Sequence, residues 1–417
     1  MHGIEGADLV VVGAGTIGGW ASTFAALDEV GRVVVLERGV AGQGASSRAA
    51  GIVRAQGGTA VAVALGRWSI DFYRSQPERF GTDSGFRELG YLILAVSEED
   101  EEAGHERVAM QRAAGLPVRW LTPDEAAGLN PTLSTQGIRG ASYLATDGHI
   151  DPPRNVRAYG LAMQAAGVEL RERTAFTGLL TEGGRDSGNE RVVAVETDRG
   201  PIATSRVILT GGPSLRAVGR VAGIRIPAGA VRHTVAVLEP HDAFAVDRQP
   251  MAFDIGAGLY WRLEEGGLLF GWSDPNDRPG EARSVDWAMY EAMRERLANY
   301  VPVTRGLGLR KIWAATIDFT PDHLPILGPG RTADGRRIDG VTIASAGGHG
   351  MMWGPAVARV AADLALRGQT DLVDVSDLGL ERFDEHGRSR LATDPIALPF
   401  PADADDDAGV RVPTGAG

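Results

Sequence analysis

Three glycines near the N-terminus, Gly13, Gly15 and Gly18, stand in the spacing G-x-G-x-x-G, with Thr16 and Ile17 ahead of the third. Each answers a separate steric need: Gly13 a tight turn, Gly15 the close approach of backbone to a pyrophosphate, Gly18 a helix lying against the preceding strand. A helix starting there turns unpaired N–H groups and the positive end of its dipole toward an anion, worth on the order of 0.3–1 kcal/mol for the dipole alone. Glu37 follows 19 residues after Gly18, where a carboxylate meets ribose hydroxyls and repels a 2′-phosphate. The chemistry these residues support is dinucleotide binding.

Two further polar glycine segments carry donors. Arg38 to Arg54 contains Ser46, Ser47 and Arg48, which can donate to phosphate or ring oxygens of a long cofactor; its other reading is a flexible surface connection. Gly347-Gly348-His349-Gly350-Met351-Met352 leads through Trp353 and Gly354 to Pro355, a residue suited to a first helical turn. That is a second glycine loop feeding a helix N-terminus. His349 has two open readings, a donor to the cofactor or a packed structural residue.

These residues need a parallel sheet and its helices to position them. Leu9 to Val12 and Val33 to Leu36 are short apolar runs of the kind buried on both faces, and Arg206 to Leu209 is a third that ends in Thr210, Gly211 and Gly212. Strands over Val168–Thr174 and Gly340–Ser345, helices over Gly66–Phe80, Asn155–Ala166 and Ala356–Arg367, and a hairpin over Phe176–Thr181 and Arg191–Asp198 complete this part. Arg87 to Val96 reads as a strand, Glu98 to Gly115 as a surface helix capped by Ser97, and Thr122 opens another short helix. Ile226–Leu238, Gly258–Arg262 and Gly267–Trp272 alternate as an antiparallel sheet able to roof a pocket, beside a helix over Asp286–Tyr300 with Met289, Met293 and Leu297 as core.

The formal net charge of −12 argues against a nucleic-acid or anionic-membrane surface. No apolar run reaches the ~18–20 residues of a membrane span and no signal peptide opens the chain, so a cytoplasmic protein is expected. The absence of cysteine excludes disulfides, thiolate metal sites and cysteine nucleophiles, and scattered histidines give no metal motif. Lys311 is the only lysine.

From about Ala7 to Phe383 the chain resembles the D-amino acid oxidase and sarcosine oxidase superfamily of FAD-dependent amine oxidoreductases. The resemblance is carried by the N-terminal glycines, Gly44-Ala-Ser-Ser-Arg-Ala-Ala-Gly51, Ile208-Leu-Thr-Gly-Gly212, Thr320-Pro-Asp-His-Leu-Pro-Ile-Leu-Gly328 and Gly347-Gly-His-Gly350. It looks closest to the branch of the sarcosine oxidase β-subunit and dimethylglycine dehydrogenase. The resemblance implies FAD, with Glu37 on the adenosine ribose, the Phe176 backbone near adenine, and Gly347–Met352 at the flavin ring. It puts a substrate-carboxylate arginine at Arg54 and a pocket tyrosine at Tyr260, with Arg262 two residues on, on the same strand face. Three departures stand out. Met352 and Leu269 occupy positions where monomeric sarcosine oxidases carry lysines, and Arg48 replaces the histidine that tethers flavin in the dimethylglycine branch, implying non-covalent FAD.

The fold expected is α/β, a Rossmann-like FAD-binding domain (1–88, 150–222, 318–392) with a discontinuous substrate domain built on an antiparallel sheet (89–149, 223–317) and a disordered acidic tail (393–417). The function expected is oxidation of the C–N bond of an amine or amino acid, sarcosine-like or D-amino-acid-like, by hydride transfer to flavin N5, giving an imine that hydrolyses. The pocket is expected to be lined by Met351, Met352, Trp272 and Leu269, with Arg54 as anchor. Two alternatives stay open: a flavin dehydrogenase acting on a 2-hydroxy acid or using a quinone or partner-protein acceptor, and a non-catalytic flavin-binding subunit.

Overall fold

Leu9–Val12 and Val33–Leu36 form four-residue strands that pair in parallel, Leu9 beside Val33 through Val12 beside Leu36, every residue buried. The structure is a computed structural model describing residues 5–396 apart from 184–189, 247, 275, 278, 282 and 283. Val207–Leu209 joins the first strand in parallel, Arg337–Ser345 lies beyond it, and Glu169–Arg171 extends the other edge. Neither face meets water, so the runs do not alternate in polarity. On one side Leu9, Val11 and Val33 pack under helices Thr16–Leu27, Ala60–Phe80, Pro152–Ala165 and Gly354–Arg367. Trp20, Phe24 and Phe72 fill that layer, with Trp20 edge-on to Phe72 at 4.8 Å between ring centres. On the other side Val10, Val34 and Leu209 pack with Leu215, Ile224 and Ile343. An antiparallel layer of Phe176–Gly183, Glu190–Thr197 and Ile202–Ala203 completes the sheet.

A second, eight-stranded sheet runs in the order Leu309–Phe319, Gly229–Leu238, Gly267–Trp272, Leu259–Glu264, Met251–Asp254, Tyr91–Ala95, Gly140–Leu144, Arg119–Leu121. Its pairs are antiparallel except Met251–Asp254 with Tyr91–Ala95. One face, with Trp261, Leu268 and Phe270, packs on the helix Trp287–Tyr300 through Met289, Met293 and Leu297. The opposite face, with Tyr91, Ile93, Tyr260 and Leu269, meets Ala50 and Ile52 of the glycine-rich segment. Alternation along each strand assigns the two faces.

Two elements differ from expectation. Leu309–Phe319, an 11-residue strand paired along the whole of Gly229–Leu238, runs from an exposed end to a buried one and so lacks a period of its own. The disordered acidic tail expected over 393–417 does not begin at residue 393. Asp394 and Ile396 are buried, and the Asp394 N–H donates to the Asp322 carbonyl at 3.0 Å. Residues 397–417 lie outside the described residues.

The Thr-Pro-Asp-His-Leu-Pro block is a structural lock. Arg382 Nε and Nη2 donate to the two carboxylate oxygens of Asp322 at 2.7 and 3.0 Å, both side chains are almost wholly buried, and Ser389 Oγ donates to the same carboxylate at 2.6 Å. Removing one partner of such a pair strands a buried charge. Arg382→Ala is therefore expected to cost ~3–5 kcal/mol, read as a lower urea midpoint; a midpoint equal to wild type contradicts this role.

Candidate active site

The dinucleotide cradle is built by close approach. Gly13 is left-handed at φ 96°, and a Cβ on Gly18 would lie 1.8 Å from the Gly13 carbonyl oxygen. Thr210 Oγ1 sits beneath, donating to the Val12 carbonyl at 2.5 Å, and Gly211 follows at φ 157°. The Thr16–Leu27 helix has Gly15 at its N-cap, with no capping side chain there; Ser46 Oγ instead accepts from Thr16 N–H at 3.0 Å and Thr16 Oγ1 at 3.1 Å. Thr16 and Ile17 are therefore buried in the first turn, and the Gly44–Ser47 segment stands over it. Glu37 ends its strand with Oε2 accepting from Ala14 N–H at 3.0 Å and Oε1 from Gly39 N–H at 2.8 Å, which fixes the carboxylate at the mouth of the glycine turn.

The second helix N-terminus arrives at the same place. Gly354–Arg367 also lacks a side-chain cap, and Gly354 lies so near Thr16 that a Cβ would be 2.9 Å from Thr16 Cγ2. Two dipoles, each equivalent to about half a positive charge, thus converge. In the preceding loop Gly347 and Gly348 are left-handed, at φ 56° and 95°; a Cβ on Gly347 would crowd the Leu324 carbonyl at 2.8 Å. Gly350 faces open space. His349 stacks on Trp353 with ring centres 3.9 Å apart, and its buried Nδ1 has no partner among the described residues. Burial, with the nearby Arg54 charge, holds its pKa well below the usual histidine range, so the ring is neutral. Met351 is fixed by its carbonyl, which accepts from Tyr73 Oη at 2.8 Å, and Met352 is buried beside it. An orphaned ring nitrogen, two helix starts whose N-cap residues supply no capping side chain, and a cradle with no room for Cβ atoms fit a bound dinucleotide.

Other predicted contacts sit differently. Arg38 is largely exposed and its Nη2 donates to Ser214 Oγ at 2.8 Å and Glu281 Oε1 at 3.3 Å. Arg48 contributes its carbonyl, which accepts from Trp313 Nε1 at 2.8 Å; Ser47 lies in the same short 3-10 turn as Ser46. Phe176 pairs with Thr197, close to the stretch where Thr174 N–H donates to the Glu37 carbonyl.

Arg54 is 4% exposed, its Nη1 donating to the Gln56 carbonyl and its Nη2 to the Ile396 carbonyl at 2.6 Å. Its charge acts on His349 of the glycine loop, Tyr91 of the second sheet, and buried Asp147 and Asp394. Arg262 shares the Tyr260 face, opposite Leu269, but its guanidinium ties the second sheet to the glycine-rich segment: Nε donates to the Ala50 carbonyl at 3.0 Å, and Nη1 to the Leu263 carbonyl at 2.9 Å and Glu264 at 2.5 Å. Trp272 departs from the expected pocket. It lies three positions beyond Leu269, an odd step that turns it to the opposite face, where it packs with the helix-side core.

Two sets of partners around predicted residues were not read from the sequence. Tyr260 Oη lies 2.5 Å from His233 Nε2, and His233 Nδ1 lies 2.7 Å from Ser273 Oγ. The Tyr260 ring extends across Gly271, where any Cβ would strike its hydroxyl. Burial pushes the His233 pKa down to about 4 and the tyrosine hydroxyl up. Beneath Arg54, Asp147 accepts from Ala55 N–H at 2.7 Å and Gln56 Nε2 at 3.0 Å, and burial raises its pKa to about 7. Neither set has a local motif: strand register alone joins 233, 260 and 273.

A discontinuous α/β fold with a glycine-turn dinucleotide cradle and a roofing antiparallel sheet defines a flavoprotein oxidoreductase. The chain belongs to the DAO family, FAD dependent oxidoreductase, whose pattern matches residues 8–364, and FAD is accordingly its cofactor. It is 29% identical over 395 residues to 4-methylaminobutanoate oxidase (formaldehyde-forming) of Paenarthrobacter nicotinovorans, covering 91% of this chain but only 46% of that relative. To glycine oxidase of Geobacillus kaustophilus it is 28% identical, covering 90% of this chain and 97% of the relative. Among solved structures, L-proline dehydrogenase from P. horikoshii superposes with a TM-score of 0.83 at 25% identity, covering 93% of this chain and 100% of that one. The chain thus spans less than half of its first relative and nearly all of the other two. Among the described residues no helix is long and apolar enough to cross a membrane.

Gly18→Ala should reduce bound flavin, read as the ratio of 450 to 280 nm absorbance after gel filtration, by at least ~10-fold, a loss of only about 1.4 kcal/mol. Full flavin content would contradict the cradle. The pH dependence of stability has a definite sign: His233 binds its proton near pH 4 when folded but near 6.5 when unfolded, so stability is present above 6.5 and is lost as pH falls toward 4. His233→Gln should flatten that loss by up to about 1.36 kcal/mol per pH unit, measured by urea unfolding across the range; an unchanged slope contradicts a neutral buried His233.

Proposed function

We propose that the chain oxidises the C–N bond of a small amine or amino acid bearing a carboxylate. The observation that carries this reading is Arg54, a buried cation whose charge reaches both the His349 loop and the Tyr91–Tyr260 face. The chemistry FAD supplies when bound is acceptance of a hydride from the carbon beside nitrogen. The protein's part is placement, which can contribute ~7–11 kcal/mol when reacting atoms are held ~3–3.5 Å apart. Arg54 holds the carboxylate in a low-dielectric site where a charge-assisted bond is strong. Tyr260 meets the amine. With Nε2 of neutral His233 accepting the Tyr260 proton and Nδ1–H donated to Ser273, the tyrosine oxygen offers its lone pairs to a substrate N–H. Leu269 and Met352 keep the site dry, and the glycine-loop helix start favours negative charge opposite.

A second reading concerns the electron acceptor. Lys311, the chain's one lysine, is more than half exposed and lies 3.8 Å from Glu265, so no ammonium stands beside buried Leu269. Without such a charge to stabilise superoxide, an acceptor other than oxygen is favoured. Reoxidation in air slower than turnover with an artificial acceptor supports this; faster reoxidation contradicts it.

For a carboxylated amine substrate, Arg54→Gln should raise KM ~10–100-fold, matching the ~1.5–3 kcal/mol of a charged hydrogen bond. Tyr260→Phe should lower kcat/KM by roughly 10²-fold. Unchanged kinetics in Arg54→Gln for every active substrate would overturn the anchor.

A further inference from the structure

The segment Asp394-Pro395-Ile396 lies in the space this reading gives to substrate. Ile396 is 1% exposed and its side chain belongs to the apolar cluster of Tyr91, Ile93, Tyr260 and Leu269. Its carbonyl accepts from Arg54 Nη2 at 2.6 Å, so one peptide oxygen takes a donor that would otherwise meet a carboxylate. The turn presenting that carbonyl is self-contained. Asp394 Oδ1 accepts from Ile396 N–H at 2.8 Å, the Asp394 N–H is held by the Asp322 carbonyl at 3.0 Å, and Gly58 supplies the gap in which the carboxylate fits, since a Cβ there would lie 2.1 Å from Asp394 Oδ1. The seat is imperfect, however. The second carboxylate oxygen, Asp394 Oδ2, is buried with no hydrogen-bond partner among the described residues, an arrangement that costs stability where it stands. The Arg54 charge acts on this carboxylate, with smaller contributions from the Gly58 backbone and the Arg107 charge.

We infer that Asp394–Ile396 is a strap that determines specificity: its Ile396 carbonyl and side chain occupy the carboxylate end of the substrate site, and an anionic substrate must displace them to reach Arg54. The inference rests on Arg54 being the carboxylate anchor. An amine without a carboxylate gains nothing by displacing the strap and is left with a shortened pocket. Carboxylated amines exchange a neutral acceptor on Arg54 for a charged one, which is the stronger bond.

The test uses the FAD-loaded full chain and sodium propanoate, a carboxylate with no amine to oxidise, titrated against the flavin absorbance spectrum. The double variant Asp394→Ala, Ile396→Ala, which loosens the strap without altering Arg54, should bind propanoate ~10-fold more tightly than wild type, while Arg54→Gln should abolish the spectral change. Equal or weaker binding by the double variant, with Arg54 dependence intact, overturns the strap and leaves the anchor standing. A spectral change that survives Arg54→Gln overturns the anchor and the strap with it. Should the double variant fail to retain FAD, hydrogen exchange in the wild-type chain decides: the Asp394 and Ile396 amides should exchange faster with saturating propanoate, and unchanged or slower exchange overturns the strap.

Discussion

The helix Thr16–Leu27 can begin where it does only because Gly18 has no side chain, since a methyl group there would overlap the Gly13 carbonyl. That contact sets the rest. It draws the helix start against the end of the Leu9–Val12 strand, lets Ser46 reach the first turn, and leaves room for Gly354 to bring a second helix start against Thr16. Backbone N–H groups from two helices then face one place, and a dianionic pyrophosphate is the kind of ligand that offsets the resulting positive potential. Glu37, held by Ala14 and Gly39 N–H groups, stands at the mouth of the same cradle.

Arginine is the second organising device. In a chain with one lysine, the buried cations are guanidiniums, whose several N–H groups bind carbonyls as readily as carboxylates. Arg262 joins the roof sheet to the glycine-rich segment, Arg382 locks the Asp322 block, and the Arg54 charge acts on both the His349 loop and Tyr91 of the roof sheet. Two of these three fasten loop segments in place; Arg54 differs in that its acceptors among the described residues are two peptide carbonyls.

Continuous apolar runs and glycine spacing made the nucleotide sheet and its cradle readable in the residues themselves, because a strand buried on both faces and a turn that excludes Cβ leave local signatures. The roof sheet was readable where a short apolar run is bounded by glycine, as in Gly267–Trp272. It was not where a strand crosses from partly exposed to buried, as Leu309–Phe319 does, or where all four residues of a short strand are buried, as in Met251–Asp254, which a turn over 255–258 joins to Leu259–Glu264. The Tyr260–His233–Ser273 chain depends on the pairing of three strands, a property of register rather than of any one stretch. Trp272 was misassigned for a different reason: alternation within its own strand puts it on the face opposite Leu269. At the C-terminal end, the acidic composition after residue 402 masked the burial of Asp394 and Ile396, which comes from tertiary contacts with Asp322 and Arg54.

The central claim, that two converging helix starts hold FAD over an amine site, is tested most directly by an anaerobic absorbance scan of the purified protein against a panel of primary and N-methylated amines and amino acids. The account predicts an oxidised flavin spectrum that is bleached by at least one carboxylated amine. A protein purified without any flavin spectrum and unable to take up added FAD, or a flavin that no member of the panel reduces, would contradict it.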